Sequence, residues 1–155
     1  MQERGLDLAV AEFAHSGRPL LGICLGMQLF ATTGEEFGLH SGLNLVPGRV
    51  TAIPSKNIEG GPLKLPYIGW TALDFTYSLE RKNSIIASLT NAESIYLVHS
   101  FHYLPVIGNQ IMATYRYGGN RITAAIKKDN VTGLQFHPEK SGPVGLRILS
   151  DFIKE

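Results

Sequence analysis

The stretch from residue 19 to residue 30 constrains the fold most, because its hydrophobic pattern changes around the only cysteine in the chain. Residues 19–23 form a short apolar run typical of a buried strand, and the residues after Cys24 show helical spacing. Gly22 and Gly26 lie two positions from the cysteine on either side, as in a strand–turn–helix elbow that presents a nucleophile. The stretch therefore predicts Cys24 at the apex of a sharp turn. The alternative is a buried cysteine in a glycine-containing turn.

The predicted elbow also affects the expected protonation state of Cys24. A thiol at the start of a helix lies near unpaired backbone N–H groups and the positive end of the helix dipole, which favour the thiolate. Small neighbours are expected on both sides, because strand and helix approach closely at such a turn.

The remaining hydrophobic periodicities predict an α/β fold with a mixed sheet and flanking helices. Helices are predicted over residues 4–15, from Cys24 towards residue 32, over 84–89 and from Val144 onward. Strands are predicted over residues 19–23, 48–53, 67–75, 95–98, 110–117, 121–126 and 131–136, and loops over 35–42 and 54–66.

Composition limits the class of protein. The 155 residues are 44% hydrophobic and 17% charged with a net charge of +1, which fits one globular domain over residues 1–155. The near-neutral charge gives no reason to expect a nucleic-acid partner. The chain shows no signal peptide and no apolar run of membrane-spanning length, so we expect no membrane association. One unpaired cysteine suits a reducing compartment, and a cytoplasmic location is expected.

A cysteine nucleophile needs a base and a group that orients the base. His137, Pro138 and Glu139 follow a predicted strand, and residues two apart in an extended segment project to the same side. The Glu139 carboxylate is therefore expected beside the His137 imidazole. The predicted catalytic residues are Cys24, His137 and Glu139, with His99 as the alternative base because it also follows a strand.

One donor for the oxyanion is predicted from the elbow itself. The backbone N–H of Leu25, the residue after the nucleophile, is placed to bind the developing negative charge. The sequence does not indicate a second donor, because no glycine-rich loop precedes the elbow.

Together, the Gly-x-Cys-x-Gly elbow and the His-Pro-Glu segment resemble the class I (triad) glutamine amidotransferases. Residues 22–28, 68–70, 96–101 and 135–142 look most like the branch formed by glutaminase subunits of imidazole glycerol phosphate synthase. The resemblance covers essentially the whole chain, and its motifs occur in the family's order. It implies a flavodoxin-like α/β fold and hydrolysis of glutamine through a glutamyl thioester, with no metal or other cofactor.

The resemblance also implies which residues bind glutamine. Gln28 and Glu36 match the family's contacts to the amino-acid end of the substrate, with Glu36 facing the α-ammonium group, and His99, Ser100 and Phe101 match the segment that holds the α-carboxylate. Without the resemblance, Glu36 would be interpreted as a solvated loop carboxylate.

The family implies a partner as well. Ammonia would pass to a cyclase subunit of the (β/α)₈-barrel type, in a heterodimer that makes the imidazole ring of histidine biosynthesis. Residues 64–70 match a partner-facing stretch, although Trp70 alone would be interpreted as a core residue. Two alternatives remain open: an amidotransferase for a modified sugar of surface polysaccharides, and an inactive shortened relative that only docks on a synthase.

The chain differs from the family at its N-terminus. Members of this kind carry about fifty more residues there. The resemblance implies that N-terminal strands of the sheet and the second oxyanion donor belong to that segment, so an N-terminally truncated domain is expected.

Overall fold

A computed structural model describes residues 5–76 and 79–155. The helices are α1 (Leu6–His15), α2 (Leu25–Gln28), α3 (Leu79–Lys82) and α4 (Gly142–Ile153), and single 3₁₀ turns span Gly108–Gln110 and Pro138–Lys140. The strands are β1 (Leu20–Ile23), β2 (Thr33–Gly34), β3 (His40–Ser41), β4 (Gly48–Ala52), β5 (Tyr67–Ala72), β6 (Asp74–Phe75), β7 (Ser94–His99), β8 (Phe101–Pro105), β9 (Ile111–Tyr117), β10 (Asn120–Lys128) and β11 (Val131–Leu134).

The central sheet places the predicted nucleophile and base next to each other. Its strand order is β1-β11-β10-β9-β6, with β1 parallel to β11 and the other pairs antiparallel. Cys24 follows β1 directly and His137 comes shortly after β11. Because parallel neighbours end at the same edge of a sheet, both side chains lie at that edge. The predicted mixed α/β sheet is confirmed.

Two smaller sheets complete the molecule. In one, β4 lies between β2 and β8, and the β4–β8 pairing places Ala52 opposite Phe101. In the other, β5 and β7 pair antiparallel, with Gly69 opposite Leu97. The burial of β5 alternates along the strand, so that Ile68 and Trp70 face solvent on one side. The interpretation of Trp70 as a core residue is therefore wrong.

Two clusters of buried side chains hold these layers together. The larger one packs β7, β9, β10 and α4 around residues such as Leu97, Tyr115 and Phe136. The second lies under the elbow and includes Met27 and Phe30. The residues around Cys24 and His137 therefore rest on packed side chains, which fixes their positions.

Several elements differ from the sequence-based expectations. β2 and β3 are not among the predicted strands, and β3 lies within the loop predicted over 35–42. α2 ends at Gln28, because the carbonyl groups of residues 29–31 accept hydrogen bonds from the N–H groups of residues 43, 46 and 44 instead of continuing the helix. The helix predicted over 84–89 is a series of turns, and α3 precedes it. β8 has no counterpart among the predicted strands; only Ser100 separates it from β7.

The helix predicted over 4–15 is confirmed as α1, although residues 1–4 lie outside the described residues. Among residues 5–76 and 79–155, no helix has both the length and the hydropathy needed to cross a bilayer.

Candidate active site

Cys24 adopts the strained backbone conformation of a nucleophile elbow. Its φ and ψ are 50° and −108°, a region that L-residues other than glycine rarely occupy. The Cys24 N–H donates to the Leu134 carbonyl at 2.7 Å, which attaches the turn to β11. The predicted strand, sharp turn and helix are all present around the cysteine.

The two glycines beside Cys24 differ in their surroundings. A Cβ added at Gly22 would lie 2.5 Å from the Phe30 ring and 2.7 Å from the backbone carbon of Gly26. A Cβ added at Gly26 would meet nothing within 4 Å. Close approach therefore explains Gly22, as expected, but it does not explain Gly26.

The thiol contacts two groups in the site. Cys24 Sγ lies 4.0 Å from the Val98 carbonyl oxygen and 3.6 Å from Gln135 Nε2. Partial burial raises the pKa of the thiol, N–H groups of Leu25 and Gln135 lower it, and the nearby Glu139 and Glu36 carboxylates raise it further. The net pKa lies above the usual value.

This outcome contradicts the expected preference for the thiolate. With only four residues, α2 carries few aligned peptide dipoles, and burial outweighs the N–H groups that point at the sulfur. A separate base is consequently needed to remove the thiol proton.

His137 and Glu139 form the expected pair. His137 Nδ1 lies 2.7 Å from a Glu139 carboxylate oxygen, and Nε2 is left as the nitrogen directed away from the carboxylate. The reason for the contact differs from the expected one, because Pro138–Lys140 is a 3₁₀ turn and not an extended segment. In the described residues the imidazole and the thiol are not hydrogen-bonded to each other, a separation that is common before substrate binds.

Two buried contacts fix the turn that carries His137. Ser141 Oγ donates to the His137 carbonyl at 2.7 Å and accepts from the Tyr96 N–H at 3.0 Å. On the other side, α4 approaches so closely that a Cβ at Gly145 would lie 1.7 Å from the Pro138 carbonyl oxygen. The sequence patterns do not identify Ser141 or Gly145 as part of the site. The Lys-Ser-Gly sequence that follows His-Pro-Glu is the only feature that could have indicated Ser141.

Three of the predicted substrate residues line one cleft beside the nucleophile. Leu25, Gln28 and Glu36 border an open space of about 120 Å³ that is also lined by residues of β2, β3 and β4. Glu36 is exposed in a loop, so its carboxylate is available to a ligand. The structure brings these side chains together, and their role in binding stays a prediction.

The 99–101 segment contacts Gln28, which lines this cleft, through its backbone. The Phe101 carbonyl accepts from Gln28 Nε2 at 3.2 Å, and the Ser100 carbonyl accepts from the Ile53 N–H at 2.8 Å. These contacts place residues 99–101 next to Gln28, while any contact with a substrate carboxylate stays a prediction.

The His99 side chain is unsuited to the base role considered for it. His99 is 6% exposed, its Nδ1 lies 2.7 Å from the Phe101 carbonyl and its Nε2 lies 2.8 Å from the Tyr115 hydroxyl. Burial, opposed by the Phe101 contact and reinforced by His102 and His137, lowers its pKa to about 4. Both ring nitrogens are occupied, so His137 is the better candidate for the base.

The described part of the chain contains no group of three or more His, Cys, Asp or Glu side chains arranged as a metal site. The arrangement it does contain is a thiol, an oriented imidazole, a backbone N–H at Leu25 and a cleft with an exposed carboxylate. Such a set can attack a carbonyl carbon and stabilise the oxyanion that results.

Comparison with known proteins gives a consistent result. The chain matches the family "glutamine amidotransferase class-I" over residues 3–155. It is 46% identical over 144 residues to the HisH subunit of imidazole glycerol phosphate synthase from Syntrophotalea carbinolica, covering 92% of this chain and 68% of that protein. It is 42% identical over 153 residues to the HisH subunit of Geobacter sulfurreducens, covering 98% of this chain and 71% of that protein. The chain thus spans roughly two thirds of these relatives.

Solved structures show the same fold at lower identity. A putative GMP synthase component from Thermoplasma acidophilum superposes with a TM-score of 0.63 at 20% identity, over 99% of this chain and 65% of that one. A glutamine amidotransferase from Thermotoga maritima superposes with a TM-score of 0.61 at 17% identity, over 97% of this chain and 54% of that one.

Proposed function

The chain belongs to the class I glutamine amidotransferases, and we propose that it is the glutaminase subunit of an imidazole glycerol phosphate synthase in histidine biosynthesis. The name of its relatives, at up to 46% identity over most of the chain, supports this choice within the family. The single observation that carries the enzymatic part is the Cys24 elbow at the same sheet edge as the His137–Glu139 pair.

In the proposed reaction, Cys24 Sγ attacks the side-chain amide carbon of glutamine. His137 Nε2 accepts the thiol proton and delivers it to the departing nitrogen, so that ammonia and a glutamyl thioester are formed. A water molecule, deprotonated by the same imidazole, then attacks the thioester and releases glutamate and the thiol. Glu139 holds the imidazole with Nδ1–H directed at its carboxylate and stabilises the imidazolium.

We propose that the cleft beside the elbow binds the amino-acid end of glutamine. We assign the α-ammonium group to Glu36, whose exposed carboxylate borders the cleft with Gln28. An ammonium group that leaves water needs such a charged partner. The Leu25 N–H is proposed to bind the oxyanion.

The proposed partner is the cyclase of the (β/α)₈-barrel type, which forms a heterodimer with this chain in the cytoplasm. Ile68 and Trp70, 58% and 56% exposed, lie on one side of β5 and form an apolar surface. Exposed aromatic side chains on a strand are typical of protein interfaces. Ammonia released into water at neutral pH becomes largely protonated, so a docked acceptor has a chemical advantage.

The test is ammonia release from glutamine, measured with the purified chain in complex with the cyclase. The complex is expected to release ammonia and glutamate in equal amounts, and Cys24→Ala is expected to lower the rate by at least roughly 10³-fold. Equal rates in the parent chain and the variant would refute the proposal. Binding of the cyclase without ammonia release would instead identify a protein that only docks.

A further inference from the structure

Two amide side chains connect the backbone of β8 to the nucleophile. Gln28 Nε2 lies 3.2 Å from the Phe101 carbonyl oxygen and 3.0 Å from Gln135 Oε1, and Gln135 Nε2 lies 3.6 Å from Cys24 Sγ. Gln135 is fully buried. Gln135 is not one of the Cys24, His137 and Glu139 groups that carry out the proposed reaction.

The direction of these hydrogen bonds follows from chemistry. A backbone carbonyl can only accept, so the Gln28 group that faces Phe101 must be its NH₂. The same NH₂ requires an acceptor at Gln135, which is its carbonyl oxygen, and the NH₂ of Gln135 is then directed at the sulfur. The Phe101 carbonyl thereby determines, through two amides, that Cys24 Sγ faces a hydrogen-bond donor.

We propose that Gln135 is a further catalytic residue of this site, which donates an N–H to the Cys24 sulfur, and that Gln28 is the positioning residue that imposes its orientation. The inference deepens the proposed glutaminase function and rests on it for its meaning in catalysis. An N–H directed at sulfur stabilises the thiolate that attacks the amide.

The other groups around Cys24 increase the importance of the Gln135 N–H for stabilising the thiolate. Partial burial and the charges of Glu139 and Glu36 all disfavour the thiolate, so Gln135 and the Leu25 N–H are the groups that act in the opposite direction. Since Gln135 is fully buried, water cannot easily replace its N–H in a variant.

The Phe101 carbonyl, where this series of hydrogen bonds begins, is itself held in place. The Phe101 carbonyl also faces His99 Nδ1 at 2.7 Å, and Tyr115 donates its hydroxyl to His99 Nε2 at 2.8 Å. Both hydrogens of the Gln28 amide are used in this arrangement, so only Gln28 Oε1 is left for contact with a substrate.

The test measures the thiol directly and does not require glutaminase activity. Cys24 is the only cysteine, so the rate of alkylation by iodoacetamide as a function of pH reports its pKa alone. The variants are Gln135→Leu, Gln135→Met and Gln28→Leu. The control is Gln110→Leu, which removes a buried glutamine from the 3₁₀ turn before β9.

Gln135→Leu, Gln135→Met and Gln28→Leu are expected to raise the midpoint of alkylation by about one pH unit, which slows alkylation roughly tenfold at a fixed pH below the midpoint. Gln110→Leu is expected to leave the midpoint unchanged. An unchanged midpoint in the folded Gln135 variants would overturn the proposal. A shift in those variants without a shift in Gln28→Leu would overturn the positioning role of Gln28. If the midpoints shift but the parent chain releases no ammonia, the proposed function fails and the hydrogen-bond assignment stands.

Discussion

Cys24 and His137 are held by contacts within the core, whereas Glu36 lies on a loop that faces solvent. The reacting region, residues 22–28 and 135–141, is fixed by the strained elbow, by Ser141 and by the approach of α4. Residues 33–42 comprise β2, β3 and the loop between them, for which we propose the binding of substrate and which we call the binding loop. They are mostly exposed, and Phe37 is 97% exposed. The difference implies that changes in the reacting region alter catalysis and stability together, while changes in the binding loop alter substrate affinity alone.

The largest effect is expected from Gly145→Ala. The new methyl group would lie 1.7 Å from the Pro138 carbonyl oxygen, so the turn that carries His137 must move. A displacement of this size is expected to lower kcat roughly 10²-fold and the free energy of unfolding by about 1–3 kcal/mol. Steady-state kinetics and urea denaturation measure the two quantities.

Gly108→Ala is the matched control for that substitution. A Cβ at Gly108 would meet nothing within 4 Å, and both quantities are expected to stay at the parent values. If Gly145→Ala behaved like Gly108→Ala, the close packing of α4 on the turn would not position the base.

A second effect concerns acid stability and arises from His99 in the core. Burial lowers its pKa to about 4, below the value of about 6.5 expected in the unfolded chain. The unfolded state therefore takes up the proton first as the pH falls, and this contribution to stability is lost between about pH 6.5 and pH 4. The free energy of unfolding is expected to fall by up to about 3 kcal/mol over that range.

Urea denaturation at a series of pH values measures this dependence. His99→Gln is expected to flatten it in part, because the lowered pKa of His102 acts in the same direction. His40→Gln, which changes an exposed histidine of the binding loop, is expected to retain the full slope. If His99→Gln and the parent had the same pH dependence of the free energy of unfolding, the buried imidazole of His99 would not be its source.

The smallest effect is expected from Glu36→Gln in the binding loop. Removing the charge that we assign to the α-ammonium group is expected to raise KM for glutamine about tenfold. The free energy of unfolding is expected to stay within about 0.5 kcal/mol of the parent, because the side chain is exposed.

Glu35→Gln provides the comparison, since the Glu35 carboxylate accepts from Thr51 Oγ1 at 2.7 Å and is not among the residues that line the cleft. Its KM is expected to match that of the parent. If Glu36→Gln changed the free energy of unfolding but not KM, it would contradict the proposal that the binding loop affects substrate affinity and not stability.

Local sequence is sufficient for the parts of the site that depend on neighbouring residues. The glycine before Cys24 and the pairing of His137 with Glu139 involve positions two apart, so both can be found from spacing. The 3₁₀ turn at Pro138–Lys140 nevertheless replaces the extended segment from which the pairing is predicted. The apolar runs and the turn residues between them likewise predict most strands of the central sheet.

The features of the site that local sequence does not predict depend on contacts between residues that are far apart in the sequence. α2 stops early because the carbonyl groups of the next residues, 29–31, accept hydrogen bonds from residues 43, 44 and 46. The thiol pKa rises because the fold buries Cys24 near two carboxylates. The roles of Ser141 and Gln135 likewise depend on β7 and on Gln28, which lie far from them in the sequence. Single-sequence patterns contain no information about such registers.

The central claim is that Cys24 is the nucleophile and His137 its base. The most direct measurement is covalent labelling by a glutamine analogue that carries an electrophilic chloroketone, followed by the intact mass of the chain. We predict one adduct per chain, protected by glutamine, absent in Cys24→Ala and formed at least roughly tenfold more slowly in His137→Ala at neutral pH. Labelling of His137→Ala at the parent rate, or labelling that persists in Cys24→Ala, would contradict the account.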